Sequence, residues 1–389
     1  MSQQNILVIN AGSSSIKFAL YAGRCQLDSK LCSGHVENIG AATKFCFALQ
    51  NGKSGDESWF DASNHAAAFD ALIGWLITQF DRNALAMVGH RIVHGGPRFY
   101  QPVTIDTEVM DYLKSVVPLA PLHQPHNITG VQSLQKHFPK VPQVACFDTG
   151  FHRTLSTMAE HYALPEEWYR RGIRRYGFHG LSYEFISEQL HIIAPELAQG
   201  KVIVAHLGNG ASLCAMQNGK SVDTTMGFSA LDGLPMGTRP GNLDAGVVLY
   251  LLGQYGMQFE ELETLLYKQS GLLGLSGISN DVRTLLASDE PQARVAIDYF
   301  VYQVNRQIGA LTAVLGGLDA LVFTAGIGEH SSAIRRRICQ SGSWLGVVLD
   351  NAANAIGKEL ISQRDSNPKV FVIPTNEELM IARHCAALV

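Results

Sequence analysis

Two stretches half a chain apart follow one plan. "ILVINAGSSSIKFALYAGR" (residues 6–24) aligns without a gap on "VIVAHLGNGASLCAMQNGK" (residues 202–220). Gly12 falls on Gly208, Ala19 on Ala215, Gly23 on Gly219 and Arg24 on Lys220, all at one offset, 208 − 12 = 196. Each stretch reads as strand, small-residue turn, strand, turn. An offset of half the 389 residues predicts a duplicated domain, and a chain of that length exceeds one compact core. Around the echoes, apolar strands at 87–93, 143–147, 201–207, 320–325 and 369–374 alternate with helical patterns. The helices are expected near 65–80, 106–116, 181–192, 244–254, 258–267 and 290–315. That alternation indicates an α/β protein whose sheets are covered on both faces. The tail "NEELMIARHCAAL" reads as a final helix with Asn376 as its N-cap.

Composition excludes several function classes. Hydrophobic residues make up 46% and charged residues 16%, which suits a well-buried globular protein and not a disordered one. The formal net charge is −4 and no basic block is present, so a nucleic-acid partner is not expected. Seven scattered cysteines without a CxxC pair point to reduced thiols in the cytoplasm, not to a disulfide framework or a zinc knuckle. The start "MSQQNILVIN" lacks a basic n-region and enters a strand at once, unlike a signal peptide. The most membrane-like stretch, residues 308–328, contains Asp319 and the pair Gly316-Gly317 and reads as helix, turn and buried strand.

The turns are where chemistry is expected. A Gly-Ser turn after a strand is usually an ordinary hairpin, and no GxxxxGK[ST] phosphate loop occurs in the chain. Two features point to phosphate instead. Asn10 ends the first strand, where an amide oxygen can serve a metal, and Lys17 stands on an otherwise apolar strand, where burying an ammonium without an anion is costly. The second turn, "HLGNGAS", and a third, "TAGIGEH" (324–330), also follow buried strands; small residues there let backbone approach a ligand. Arg91 and Arg239 are bracketed by glycine and apolar residues, and a guanidinium is the natural fork for carboxylate or phosphate. His123, His126 and His179 lack zinc-site spacing, and Asp148 ends a buried strand, a usual place for a functional carboxylate or a structural ion pair.

Nine motifs in order resemble the acetate kinases, of the wider acetate and sugar kinase, heat-shock ATPase and actin superfamily. They are "NAGSSSIKF", "GHRIVHGG", "PLHQPHN", "FDTGFH", "RRYGFHGLSY", "HLGNGAS", "MGFSALDGLPMGTRPGNLD", "TAGIGEH" and "PTNEELMIA", spread over nearly the whole chain. The resemblance implies a duplicated actin-like, ribonuclease H-like two-domain fold with a cleft between the lobes. Residues 1–148 would form the first domain, joined by the C-terminal helix at about 376–389, and 149–375 the nucleotide-binding second. It implies reversible, Mg²⁺-dependent phosphoryl transfer from ATP to acetate, giving acetyl phosphate and ADP, with Mn²⁺ as an alternative ion. It also implies a homodimer serving acetyl-CoA synthesis.

Carried over by residue, the resemblance places Asn10 and Glu377 at the metal and Lys17 at the phosphates. Arg91 and Arg239 would hold the carboxylate and the phosphoryl group, and His179 would stabilise the equatorial oxygens. Asp148 would be the catalytic acid. Acetate is already ionised at neutral pH, however, because a carboxylic acid has a pKa of about 4; Asp148 is therefore expected to orient an arginine or a metal-bound water. Val93, Leu122 and Phe178 would line the pocket for the acyl methyl, with His123 beside it. His206, Leu207, Gly208, Asn209, Gly210, the run Asp281-Val282-Arg283, and the turn Gly326, Ile327, Gly328, Glu329 and His330 would bind nucleotide. Three departures from the family pattern stand out. Ala230 replaces a proline beside the acyl pocket and could admit propionate, Asn242 and Ala245 replace an acid and a proline, and His330 replaces an asparagine. A propionate kinase is thus the near alternative, and an actin- or chaperone-like ATPase switch the distant one.

Overall fold

The computed structural model describes residues 4–12, 14–23, 25–26, 29–58 and 62–388; Ser13 of the first turn and Arg24 of the echo lie outside them. The chain divides into two units, Met1–Gly150 with Asn376–Val389, and Phe151–Thr375.

In the first unit β1 (Asn5–Ala11) pairs antiparallel with β2 (Ile16–Ala22) and parallel with β6 (Leu85–Ile92). Beyond β6 lies parallel β8 (Gln143–Phe147), with short β7 (Val103–Thr104) on its far edge. On the other side β2 continues into a meander of β3 (Lys30–Glu37), β4 (Lys44–Leu49) and β5 (Ser54–Ser58). The sheet order is β5-β4-β3-β2-β1-β6-β8-β7. The meander was not foreseen, because Ser33, Gly34 and His35 break the apolar alternation of β3. The sheet itself requires that break: a side chain at Gly34 would meet the Cys46 carbonyl at 2.3 Å and the Phe18 ring at 2.7 Å.

Helices cover both faces. One core joins Phe18, Phe45, Phe69 and Leu72 to Leu134, so helices His65–Gln79 and Gln124–His137 pack on the same side. The opposite face takes helix Glu377–Ala386. A Cβ at Gly89 would lie 2.5 Å from Ile381 and 2.6 Å from Cys385, so the glycine in β6 lets this helix lie directly on the sheet. Asn376 caps it as expected, accepting from the Leu379 N–H at 3.0 Å.

The second unit repeats the pattern. β9 (Lys201–Leu207) pairs antiparallel with β10 (Ala211–Gln217), which pairs antiparallel with β11 (Lys220–Thr224). On the other side β9 pairs parallel with β12 (Ala320–Thr324), and β12 with β13 (Lys369–Val372). The order β11-β10-β9-β12-β13 matches β3-β2-β1-β6-β8 of the first unit, with the same strand senses. β9 starts at 201 and β1 at 5, and 201 − 5 is the 196-residue offset of the echo. The stretch 308–328 resolves as the end of helix Pro291–Leu315, a turn through Gly316 and Gly317 at φ 66° and 139°, β12, and the start of a short helix, Ala325–His330, where a glycine turn was expected. Among the described residues no helix is long and apolar enough to cross a membrane.

Candidate active site

In both units the expected functional residues gather where parallel strands end, the usual ligand-binding edge of an α/β sheet. In the first unit Asn10 lies near the end of β1, Arg91 near the end of β6, and Asp148 directly after β8. The Asp148 N–H donates to the Ile92 carbonyl at 3.0 Å, which fixes the carboxylate beside Arg91. Arg91 Nε donates to Asp148 Oδ1 at 3.1 Å and Nη2 to Oδ2, so both carboxylate oxygens are engaged by one guanidinium. Asp148 is fully buried and the Arg91 side chain 14% exposed. Burial alone would weaken the Arg91 charge, but Asp148 and Glu377 outweigh it and hold the guanidinium above its ordinary range.

Asn10 links this pair to the C-terminal helix. Its Oδ1 accepts from Arg91 Nη1 at 3.3 Å, and its Nδ2 donates to Glu377 Oε2 at 3.2 Å. The Glu377 carboxyl is pushed up to about 7, first by desolvation and then by the charges of Asp148 and Glu378, against the pull of Arg91 and Lys17. Lys17 faces Asn10 across the β1–β2 ladder, but its side chain is exposed. The expectation of a buried ammonium is therefore corrected: Ile16 and Phe18 point into the core, and the pleat turns Lys17 to the opposite face.

Val93 is buried, Leu122 and His123 are half-buried, and Asn127 ties their region together. It accepts from the Val93 N–H at 2.9 Å and donates to the Ala11 carbonyl at 2.8 Å, joining the ends of β1 and β6. Asn127 was not foreseen as part of the site. Its signal is the motif "PLHQPHN", in which the sequence singles out only Leu122 and the histidines.

In the second unit His179 sits at φ 60°, a left-handed conformation, just before helix Gly180–Ile193. Its Nδ1 lies 2.8 Å from Ser212 Oγ, and its ring stacks on the His206 ring at 4.0 Å. The Phe178 carbonyl accepts from His152 Nε2 at 2.9 Å, so His152 holds the bend from behind. Gly210 marks the convergence of the expected catalytic groups. A Cβ built there would lie 3.0 Å from Arg239 Nη2 and 3.2 Å from His179 Nε2. Arg239 is half-buried and Nη1 donates to the Ala230 carbonyl at 2.7 Å. Among the described residues no carboxylate pairs with it, and burial lowers its pKa to about 10, so it stays cationic at neutral pH.

Gly210→Ala is expected to lower kcat by about 10²-fold, the cost of misplacing reacting groups by roughly 1 Å. Its urea midpoint should stay near that of the parent, because the atoms displaced are side-chain ends. A parent-like kcat would show that Arg239 and His179 do not act at this point.

Next to this cluster opens a cavity of about 880 Å³. Eight of the expected nucleotide residues line it: Gly208, Asn209, Asp281, Val282, Arg283, Gly326, Ile327 and His330. The Gly237 N–H donates to the Asn209 carbonyl at 3.2 Å, which ties the Arg239 loop to the cavity wall. His206, Leu207, Gly210, Gly328 and Glu329 are absent from the lining. Glu329 Oε1 instead accepts from the N–H groups of Ala325 at 2.8 Å and Thr375 at 3.1 Å. Asn280, Leu286, Ala287, Ser331, Ser332 and Ala333 line the cavity without having been foreseen. Leu286 and Ala287 fall three to five residues beyond Val282 and Arg283, on the same face of a helical turn; that spacing was the available signal.

The profile of the Acetokinase family matches residues 5–383. The chain belongs to this family. It is therefore a phosphotransferase with a carboxyl acceptor, built on the duplicated actin-like fold that the echo and the motifs led us to expect. The acetate kinase of Rhodopseudomonas palustris is 52% identical over 385 residues, 97% of each chain. That of Nitrobacter hamburgensis is 51% identical over 389 residues, 99% of this chain and 96% of the relative. Among solved structures, a propionate kinase from Francisella tularensis superposes with a TM-score of 0.91 at 38% identity, covering 98% of both chains. Porphyromonas gingivalis acetate kinase gives 0.87 at 35%, covering 99% of both.

Proposed function

We propose that the protein transfers the γ-phosphoryl group of ATP reversibly to acetate, giving acetyl phosphate and ADP. Arg239 carries the reading: a half-buried guanidinium without a carboxylate partner among the described residues, beside an imidazole and next to a nucleotide-sized cavity, calls for an anion. Phosphoryl transfer rests on positioning and charge neutralisation, which these groups supply. We assign Arg91 to the acetate carboxylate, and Val93, Leu122, His123 and Phe178 to its methyl end. Arg239 and His179 are assigned to the transferring phosphoryl oxygens and Lys17 to the phosphates. Asp148, with both oxygens on Arg91, serves as the orienter of that guanidinium.

The metal site is proposed at Asn10 and Glu377. An amide oxygen and a carboxylate, with the Asp148 carboxylate acting on Glu377, form a hard oxygen set suited to Mg²⁺ or Mn²⁺. Two protein ligands would leave the ion its water and substrate oxygens, as Mg²⁺ usually keeps them. When bound, the ion neutralises polyphosphate charge.

Propionate is the second acceptor to consider, because Ala230 replaces the bulkier proline and a propionate kinase is among the structural relatives. Acyl hydroxamate formation from acetate, propionate and butyrate tests both readings. ATP-dependent acetohydroxamate with the highest kcat/KM is expected for acetate. A higher kcat/KM for propionate would make it a propionate kinase, and ATP turnover indifferent to any acid would refute the reading.

A homodimer and a cytoplasmic setting complete the proposal. Helix Ala245–Gln254 buries none of its residues, and Leu249, Tyr250, Tyr255 and Phe259 are 57–71% exposed. A second copy of the chain would cover that apolar stripe. Leu249→Arg is expected to convert the dimer to a monomer by light scattering; an unchanged mass would place the interface elsewhere. All seven cysteines are free, as in a reducing compartment.

A further inference from the structure

One wall of the cavity is the short helix Ala325–His330 and the start of helix Ser332–Ser341, through Gly326, Ile327, His330 and Ser332. Ala325 opens the short helix at φ 63°, a region that non-glycine residues avoid. Behind it lies Arg335, 1% exposed, with no carboxylate partner among the described residues. Its Nη1 donates to the carbonyls of Gly328 at 2.9 Å and Glu329 at 2.7 Å. Its Nε donates to Asn354 Oδ1 at 2.8 Å, and its Nη2 to the Asn354 carbonyl at 2.7 Å. Asn354, also buried, donates from Nδ2 to the Ser332 carbonyl at 2.9 Å.

Three carbonyls are therefore held by two buried side chains that do not line the cavity: that of Ser332, which lines it, and those of Gly328 and Glu329 just behind. Burying a guanidinium without a counter-charge is costly, and an apolar residue of similar size would pack the same space more cheaply. What the arginine adds is attachment. It binds the carbonyls of residues 328 and 329 at the end of the short helix, and Asn354 binds that of residue 332, so the short helix and the first residue of the next one are fixed together from the side away from the ligand. We propose that Arg335 and Asn354 act together as a positioning clamp that shapes this wall for a nucleoside polyphosphate. The clamp rests on the reading of the cavity as the nucleotide site.

The test compares Arg335→Met, Arg335→Lys and Asn354→Ala with the parent enzyme. ADP binding with Mg²⁺ is read by titration calorimetry, and KM is read separately for ATP and acetate. Arg335→Met should weaken ADP binding and raise the KM for ATP about tenfold or more, with the KM for acetate within about twofold. Arg335→Lys should recover part of the loss, because an ammonium can still reach the two carbonyls. Asn354→Ala should shift ADP affinity in the same direction by about threefold. Parent-like ADP affinity in a folded Arg335→Met, or equal rises in both KM values, overturns the clamp. If Arg335→Met fails to fold, parent-like ADP affinity in Asn354→Ala overturns it instead. A parent enzyme that binds no ADP overturns the nucleotide reading itself; a parent that binds ADP beside unaffected variants overturns the clamp alone.

Discussion

Arg239→Ala is expected to lower kcat by about 10²–10³-fold, the usual loss when one group stabilising transition-state charge is removed. The reason lies in what Arg239 lacks. It has a carbonyl partner at Ala230 but no carboxylate among the described residues, and desolvation already weakens its charge. A fold gains little from such a group, so its removal should leave the urea midpoint close to the parent value. Steady-state kinetics at saturating ATP and acetate, paired with urea unfolding, would show the separation. Arg239→Lys should recover only a small part of the rate, because a point charge cannot reproduce the planar fork. A variant that unfolds early yet turns over normally when folded would mean the arginine is structural, and the proposed phosphoryl assignment would fall.

Asp148→Asn carries the opposite signature. Here the side chain is fully buried and both of its oxygens are engaged by Arg91. Substitution breaks a buried ion pair, which costs about 3–5 kcal/mol when one partner is removed. It also frees Arg91 to turn toward Glu377, the other carboxylate acting on it. We expect kcat to fall by about 10²-fold through lost positioning. The acid limb of the kcat/KM profile should move only to lower pH, because Glu377 loses the Asp148 charge that helps hold its carboxyl up. A limb that disappears with the substitution would instead make Asp148 a proton carrier. The two variants together separate charge that acts on the ligand from charge that arranges another residue.

Some of this was legible before any coordinates. The 196-residue echo and the duplicated sheet order share one cause: a strand, a small-residue turn and a returning strand have a period-2 pattern visible in short windows. Strand β8 and the cap at Asn376 were equally readable, because an apolar run or a capping side chain acts over a few residues. Other features were not. β3 hid its strand character because Gly34 answers to the ring of Phe18 on the neighbouring strand. The exposure of Lys17 depended on which face of β2 the core claimed. Asn280 and Arg335 lie in no motif that marks them, and the motif around Asn127 does not tell which strands its amide joins.

The two-fold repetition, the α/β class and the residue types offered at each strand end follow from local period and chemistry and can be read along the chain. Which charges are paired and which are left for a ligand is settled only when distant segments pack together. Asp148 comes to Arg91 across 57 residues and Glu377 to Asn10 across 367, while Arg239 meets no acid among the described residues. Such pairings depend on the crossing of strands and helices distant in the chain, and no local pattern encodes where two side chains will meet.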